Sequence, residues 1–386
     1  MGETLGNEGA SPQGRVMIFV HDLRASGVVR NTLAIAAKIA ERHDVTLVAR
    51  SDDGFLADQA RADPRWRLVT LYGDGRRGSQ LGAILRLRRL IRHETPDVLL
   101  STGNRGHWVV RPATIGMSRP LRLYRISNSI DRSGRGRAGL RGLGARLLAA
   151  DADTLLLVGR TTADAPQFAA AVAKGRAEIL TNGVDRERAR KLAQAPSPCA
   201  WLAGDMPVIL SVGRLAPQKD FPTLVRAVAK ASRVHPLKLA IVGKGDPDAA
   251  ASLRALATAE GLDERFLLPG ETDNVFAWLA RATAFVLPSR WEGSSMALLE
   301  ALALDVPIVA TREAGDAAHI LDDGRYGVIV QAGDSDGMAQ AILRQISEAT
   351  VRAGDRADVF NLEATIARYA QLVDRAVTRA GAEMDR

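Results

Sequence analysis

The chain has 386 residues, enough for two domains of ordinary size, with 46% apolar and 25% charged residues and a net charge of +8. Its single cysteine, Cys199, excludes an intrachain disulfide and suggests a reducing cytoplasm, and no apolar run approaches the roughly 20 residues of a membrane-spanning helix. The charge is uneven: residues 1–200 carry 32 Lys and Arg against 19 Asp and Glu, and the remainder carries 20 against 25. A basic first half implies an anionic partner, unless it only reflects an Arg-rich composition.

In chain order, residues 1–14 are rich in Gly, Glu, Asn, Ser and Pro and predict a disordered tail. They lack the basic start and apolar core of a signal peptide. Arg15–Val20 reads as the first strand, and Ser26-Gly27 opens a helix over Val28–Arg42, with Ser26 able to cap it. Further strands are expected at Val45–Ala49, Leu68–Leu71, Val98–Ser101, Leu121–Ile126, Thr154–Val158 and Glu178–Leu180. Helical spacing recurs at Gln80–His93 and Arg137–Ala150. Strands alternating with helices predict a parallel, doubly wound sheet.

Residues 66–146 hold 17 Arg and 4 acids. Arg76-Arg77 and Arg86, Arg88, Arg89 and Arg92, mixed with Leu81, Ile84, Leu85, Leu87, Leu90 and Ile91, read as a basic amphipathic segment. So does the Gly/Arg-rich stretch Ser133–Arg146. Such segments bind anionic bilayer surfaces; the competing reading is a solvated helix face. Arg-rich stretches also permit nucleic-acid binding, but no RNA module or aromatic stacking platform is visible, so nucleic acid is not expected as a partner. Asp151-Ala-Asp153 looks like an acid pair for a metal, yet it falls at a helix-to-strand junction. No His/Cys cluster suggests zinc, and no metal is expected. His21 and His107 lie near strand ends with nothing tying them to chemistry.

Residues 182–207, with prolines, a glycine and charges, read as the interdomain connection. A second alternating set follows, with strands at Val208–Val212, Lys238–Val242, Phe266–Leu268, Ala284–Leu287 and Ile308–Val309, and a last helix from about Glu363 to Ala382. After Val212 come Gly213, Arg214, Lys219 and Asp220, then a helix from Phe221 to about Val234. Two cations flanking a strand-to-helix turn suit a diphosphate, Arg as a planar fork and Lys as a point charge. After Val242 come Gly243, Lys244 and Gly245, whose glycines allow close backbone approach to a nucleotide. After Leu287 comes Pro288-Ser-Arg-Trp-Glu-Gly-Ser-Ser-Met-Ala-Leu-Leu-Glu300. Glu292 stands before a helix start and Glu300 is expected about two turns into it. Free N–H groups at such a start face an anion. A carboxylate on each side of a phosphate site points to a ligand bearing both phosphate and hydroxyls, such as a nucleotide sugar.

These motifs resemble glycosyltransferase family 4, a group of retaining enzymes with the GT-B fold. The matching stretches are Ser211–Asp220, Ile241–Gly245, Pro288–Gly293, Leu299–Ala303, Asp305–Thr311 and Asp322–Val330. The first half matches more loosely, through Ser26-Gly27 and Thr181-Asn-Gly-Val-Asp185. The resemblance implies two facing Rossmann-like domains: an acceptor-binding domain over 15–190, a linker over 191–206, and a nucleotide-sugar-binding domain over 207–362. It also implies a C-terminal helix, 363–386, that packs back on the first domain.

By the same resemblance, Arg214 and Lys219 clamp the diphosphate, and Glu292 lies near the donor sugar and the reacting centre. Glu300 accepts hydrogen bonds from the ribose. Gly213, Gly243, Lys244, Gly293, Ser295, Met296 and Ala297 help bind the donor. Ser26, Gly27 and Asn128 belong to the acceptor or phosphate loop. Ser294 and Ser295 stand where the family commonly has an aromatic-proline pair, Asn128 and its neighbour Ser127 where many members have a histidine, and His319 where a glutamate is usual. Asn128 cannot act as a general base, and His319 reads as structural.

The reading is a retaining transferase, with a nucleoside diphosphate sugar as donor substrate and no cofactor or metal. The acceptor is a sugar or a lipid-linked or surface-polysaccharide precursor, met in the cytoplasm or at the inner face of the cytoplasmic membrane. The rivals are a transferase for a soluble acceptor and a nucleotide-sugar-binding protein without turnover.

Overall fold

The structure is a computed structural model that describes residues 14–24, 27–52, 54–73, 78–127, 138–348 and 353–384. Residues 1–13 of the expected tail, Ser26, Arg76-Arg77, Asn128 and the Gly/Arg-rich stretch up to Arg137 lie outside the described residues. Two compact units emerge. One takes the chain up to Leu157, then Ala165–Leu180, then the chain from Ile366; the other takes Val158–Asp164 and Thr181–Thr365. The stretch read as a linker holds the end of helix Arg186–Ala193 and a short 3-10 turn, Ala200–Leu202.

The first unit is built on strands β1 (Arg15–Val20), β2 (Asp44–Ser51), β3 (Arg67–Tyr72), β4 (Val98–Thr102), β5 (Leu121–Ile126), β6 (Thr154–Leu157) and β7 (Ala177–Ile179). They form one sheet in the order β3-β2-β1-β4-β5-β6-β7, with every pairing parallel. Parallel strands need a crossover between them, and the intervening helices supply it. The core combines Val16, Ile18 and Val20 of β1 with Leu33 and Ile35 of helix Gly27–Ile39.

The helix Leu362–Met384 runs into this unit and adds Tyr369, Leu372, Val373 and Val377 to the same core. Tyr369 Oη accepts a 2.9 Å hydrogen bond from Nε of the buried Arg125. Asp374 holds the end of helix Gly27–Ile39 from outside, 2.7 Å from His43 Nε2 and ion-paired to Arg42.

The second unit carries β8 (Val208–Val212), β9 (Lys238–Val242), β10 (Phe266–Gly270), β11 (Ala284–Leu287), β12 (Ile308–Thr311) and β13 (Val328–Val330). Their order is β10-β9-β8-β11-β12-β13, again parallel throughout. Alternation along the strands divides the apolar residues. Val208, Leu210, Ala240 and Val242 join one core with helix Met296–Ala303; Ile209, Leu239 and Ile241 join another with helices Phe221–Ser232 and Ser335–Ser347. Side chains of period two on a sheet covered by helices on both faces produce this division. β13 was not among the expected strands: it has three residues, all half-buried, at the sheet's edge.

Two expectations need correction. Glu300 is the fifth residue of helix Met296–Ala303, one turn in rather than two. The arginines of helix Gln80–Glu94 do not form a uniformly solvated or membrane-facing row. Arg86 lies over the Tyr72 ring, 4.5 Å from its centre, and donates to the Leu71 carbonyl, while Arg88 donates to the carbonyls of Ala113 and Ile115. Asp151 and Asp153, the acid pair at the helix-to-strand junction, are engaged by neighbouring side chains. Arg122 bonds to both, and Tyr124 donates its hydroxyl to Asp151 at 2.7 Å.

His107 is fully buried and structural. Its Nε2 lies 3.1 Å from the Arg125 carbonyl, which can only accept, so Nε2 carries the proton and Nδ1 accepts from Ser101 Oγ at 2.7 Å.

Candidate active site

In an open α/β sheet the strand order reverses at one point, and the loops leaving the strands on either side of it diverge to form a crevice. In the second unit that point lies between β8 and β11. Both loops there carry the residues singled out in the sequence, and both are laced together. Lys219 Nζ lies 2.6 Å from Glu292 Oε1, with the two side chains 14% and 11% exposed. Ser289 Oγ donates to the same Glu292 oxygen at 2.9 Å, which orients the carboxylate from behind. Three more contacts join the loops: an ion pair between Arg290 Nε and Asp220 Oδ2 at 2.9 Å, and hydrogen bonds from the Arg290 N–H to the Gln218 carbonyl at 2.9 Å and from Gln218 Nε2 to the Trp291 carbonyl at 3.0 Å.

The local sequence explains the lacing. Asp220 takes the left-handed conformation, φ 47°, so the chain turns sharply after Lys219, and Pro222 then fixes the first turn of helix Phe221–Ser232. The turn leaves the Arg214 side chain exposed, with no hydrogen bond or ion pair among the described residues, as a cation available to a ligand.

The turns after β8 and β9 run against each other: the Gly213 N–H donates to the Val242 carbonyl and the Leu215 N–H to that of Lys244. Gly243 thus lies directly under Gly213, where a side chain would collide with backbone. Lys244 is exposed and its ammonium is 3.8 Å from Glu271.

The loop 288–295 is pinned on its remaining sides. Thr311, at the end of β12, bonds the Ser289 carbonyl, and the Asp316 N–H donates to that of Gly293 at 3.1 Å. Asn182 Nδ2 donates to the carbonyl of Ser294 at 2.8 Å. Ser294 and Ser295 are buried at the start of helix Met296–Ala303. Ser295 occupies its cap position without bonding a helix N–H through its side chain, and Ser294 Oγ has no partner. The side chain at the cap position therefore bonds none of the first N–H groups of this helix, and a helix start placed after a strand in an α/β sheet is where an anion is received.

Among the residues read from sequence, the structure gathers Gly213, Arg214, Lys219, Gly243, Lys244, Glu292, Gly293, Ser295, Met296, Ala297 and Glu300 on the loops and helix starts along one edge of one sheet. Gly27 begins helix Gly27–Ile39 after β1 of the other unit. His319 packs edge-on against Phe360, 5.9 Å between ring centres, and burial followed by Arg160 and Arg356 pushes its imidazole below the ordinary value. That environment is structural.

The sequence reading assigned no role to Gln218, Asp220, Arg290 or Trp291, which hold the two loops together, nor to Asp316. Asp316 is 2% exposed and accepts the N–H groups of Arg160 and Thr161 at 2.9 Å each, capping a short helix, Arg160–Ala163. Proximity of Gln218-Lys219-Asp220 to Arg290-Trp291-Glu292 follows only once β8 and β11 are known to be neighbours.

Two family profiles match the chain: one described as glycosyl transferases group 1 over residues 206–348, and one described as glycosyltransferase family 4 over residues 25–188. A lipopolysaccharide core biosynthesis glycosyltransferase, LpsE, of Rhizobium meliloti is 28% identical over 270 residues, covering 69% of this chain and 71% of that protein. An N-acetylgalactosaminyltransferase of Campylobacter jejuni, named for a diphospho-undecaprenol-linked substrate, is 30% identical over 177 residues, 46% of either chain. The chain thus matches about half the length of the second relative. Among solved structures, Anabaena HepE in complex with UDP-glucose superposes with a TM-score of 0.76 at 16% identity, covering 94% of this chain and 100% of that one.

Proposed function

We propose that this chain, which belongs to the group 1 glycosyltransferases of family 4 with the GT-B fold and is a glycosyltransferase, moves a sugar with retention from a nucleoside diphosphate donor to a lipid-linked or surface-polysaccharide precursor. The observation that carries the reading is the Lys219–Glu292 pair at the β8/β11 switch point, on the same loops as the exposed Arg214 and the start of helix Met296–Ala303.

The chemistry follows from where charge develops. When the bond from the anomeric carbon to the diphosphate oxygen breaks, negative charge gathers on that oxygen. Lys219, Arg214 and the first N–H groups of helix Met296–Ala303 receive it. The acceptor hydroxyl forms its bond to the anomeric carbon on the same face, and its proton passes to the departing diphosphate oxygen. Glu292 steadies the positive charge on the sugar ring and, through Lys219, ties that end of the site to the phosphate end. Glu300 accepts from the ribose hydroxyls. Gly213, Gly243, Lys244, Gly293, Ser295, Met296 and Ala297 shape the donor site, and Ser26, Gly27 and Asn128 serve the acceptor side. Cations and the helix start take the role that a divalent metal fills elsewhere, so no metal is required.

The names of the two relatives support a membrane-borne acceptor. So do exposed apolar side chains on the three helices that follow β3, β4 and β5: Leu81 and Leu85, Trp108, and Leu143 and Leu147. Trp108 packs against Gly144, which brings two of these helices together. No helix among the described residues is long and apolar enough to cross a membrane, and the proposed place of action is the cytoplasmic face of the membrane.

The test is turnover of a panel of labelled nucleotide sugars with lipid extracts as acceptor, with and without excess chelator. Transfer should proceed in both cases, with the product keeping the donor's anomeric configuration. Inversion would overturn the retaining reading, and loss of turnover that magnesium or manganese restores would overturn the metal-free one.

A further inference from the structure

At the edge of the first unit's sheet opposite to the one where α/β proteins bind their substrates lies a cavity of about 620 Å³. Arg15 stands there at the head of β1, Arg88 and Arg92 lie one turn apart on helix Gln80–Glu94, and Arg119 and Ser118 precede β5, with Ile91 forming part of an apolar wall.

Four arginines line this cavity, and no acid is among its lining residues. Asp97 accepts the Arg15 backbone N–H at 2.9 Å and lies 3.4 Å from Arg119 Nη1. Among the described residues no carboxylate pairs with the side chains of Arg15, Arg88 or Arg92. Arg88 is held in place by two carbonyls, those of Ala113 and Ile115, at 2.9 and 2.8 Å. Arg119 Nη2 is buried without a hydrogen-bond partner.

Surface arginines on a folded chain ordinarily interleave with acids, because like charges gathered in one concavity repel. A buried donor left without an acceptor adds to that cost. An oxyanion relieves both, and several planar forks around one cavity match phosphate oxygens better than a single carboxylate. The volume falls in the range of small-molecule sites and exceeds what one small ion fills.

We propose that this cavity binds a phosphate-bearing anion, at a site separate from the donor site. The phosphate could belong to a soluble molecule or to a lipid headgroup, and the probes distinguish them: inorganic pyrophosphate for the first, vesicles containing phosphatidylglycerol for the second. Hydrogen exchange over residues 88–96 and 113–120 is the local readout. It stays clear of the donor site, where pyrophosphate also has a place.

The expected result is protection of these segments by one of the two probes in the full-length protein. The protection should persist in Arg214→Ala/Lys219→Ala, and in Arg15→Gln/Arg92→Gln it should require at least tenfold more probe. Both substituted arginines of the second variant are exposed, so its thermal midpoint should stay at the wild-type value, as should its transferase rate without added probe. Protection by neither probe, or protection unchanged in Arg15→Gln/Arg92→Gln, overturns the proposal. Because the readout does not depend on turnover, failure of the transferase reading leaves it intact.

Discussion

A Cβ atom placed on Gly243 would stand 2.0 Å from the carbonyl oxygen of Gly213. The neighbour is backbone and cannot rotate away, so the turns after β8 and β9 approach this closely only because residue 243 has no side chain. Gly243→Ala should push the two turns apart, lower the thermal midpoint by the equivalent of about 1–3 kcal/mol and weaken donor binding. Gly381→Ala, where a Cβ meets nothing within 4 Å in the C-terminal helix, should be neutral or stabilising. Equal effects of the two substitutions on donor KM would remove the turn from the donor site.

Lys219 and Glu292 are mostly buried and each is the other's counter-charge. Removing one leaves the other unpaired, so Lys219→Ala should lose stability as well as rate, contrary to what a surface cation would do. Arg214→Ala should lose only rate, by about 100- to 1,000-fold, like the loss of one oxyanion donor. The double variant Lys219→Ala/Glu292→Gln should recover the thermal midpoint of the wild type without recovering turnover. A double variant no more stable than Lys219→Ala alone contradicts the pairing, and turnover within threefold of wild type in Arg214→Ala takes that residue out of the site.

Burial lowers the His107 imidazole to about 3, against the ordinary 6.5. The sign follows from proton counts. Below about pH 6.5 the unfolded chain binds a proton that the folded chain refuses, so stability falls as pH drops from about 6.5 towards 3. Above 6.5 this contribution does not change. The slope is up to about 1.4 kcal/mol per pH unit from this group. Chemical denaturation at a series of pH values should show it in the wild type and show a flatter profile in His107→Gln. Profiles that coincide between pH 4 and 6.5 contradict the assignment.

The exposed apolar residues Leu81, Leu85 and Trp108 lead to a prediction about membranes. Sedimentation with phosphatidylglycerol vesicles should capture the wild type at low ionic strength and release it as salt rises. Leu81→Ser/Leu85→Ser should reduce capture severalfold without lowering the thermal midpoint, since neither side chain is buried. Arg86→Gln should act on stability instead, because its guanidinium group serves the Leu71 carbonyl. Wild type that stays in the supernatant at low salt would falsify membrane docking and favour a soluble acceptor.

Much of the fold was visible in the periodicities. The strands are short apolar runs set between helical stripes, and the loops that follow β8, β9 and β11 carry glycines and charges out of keeping with their apolar surroundings. Two kinds of fact were not visible. One is adjacency: Arg290 meets Asp220, 70 positions away, because β11 lies beside β8. The other is the fate of long cations. Arg86 and Arg88 sit at positions that read as a basic or solvated helix face, and Arg122 inside an expected strand, yet their guanidinium groups bond to Leu71, Ala113 and Asp153 on neighbouring segments. Strand β13 escaped notice because a three-residue edge strand buries too little to impose an alternation.

The core of the first sheet is closed by Tyr369, Leu372, Val373 and Val377, which follow the whole of the second unit in the chain. On the ribosome the strands of this sheet emerge before the second unit, and the residues that close its core emerge after it. While the second unit is being translated, the first waits with an open apolar groove in need of shelter. A stop codon just before residue 366 would thus damage a sheet whose strands all lie before residue 180.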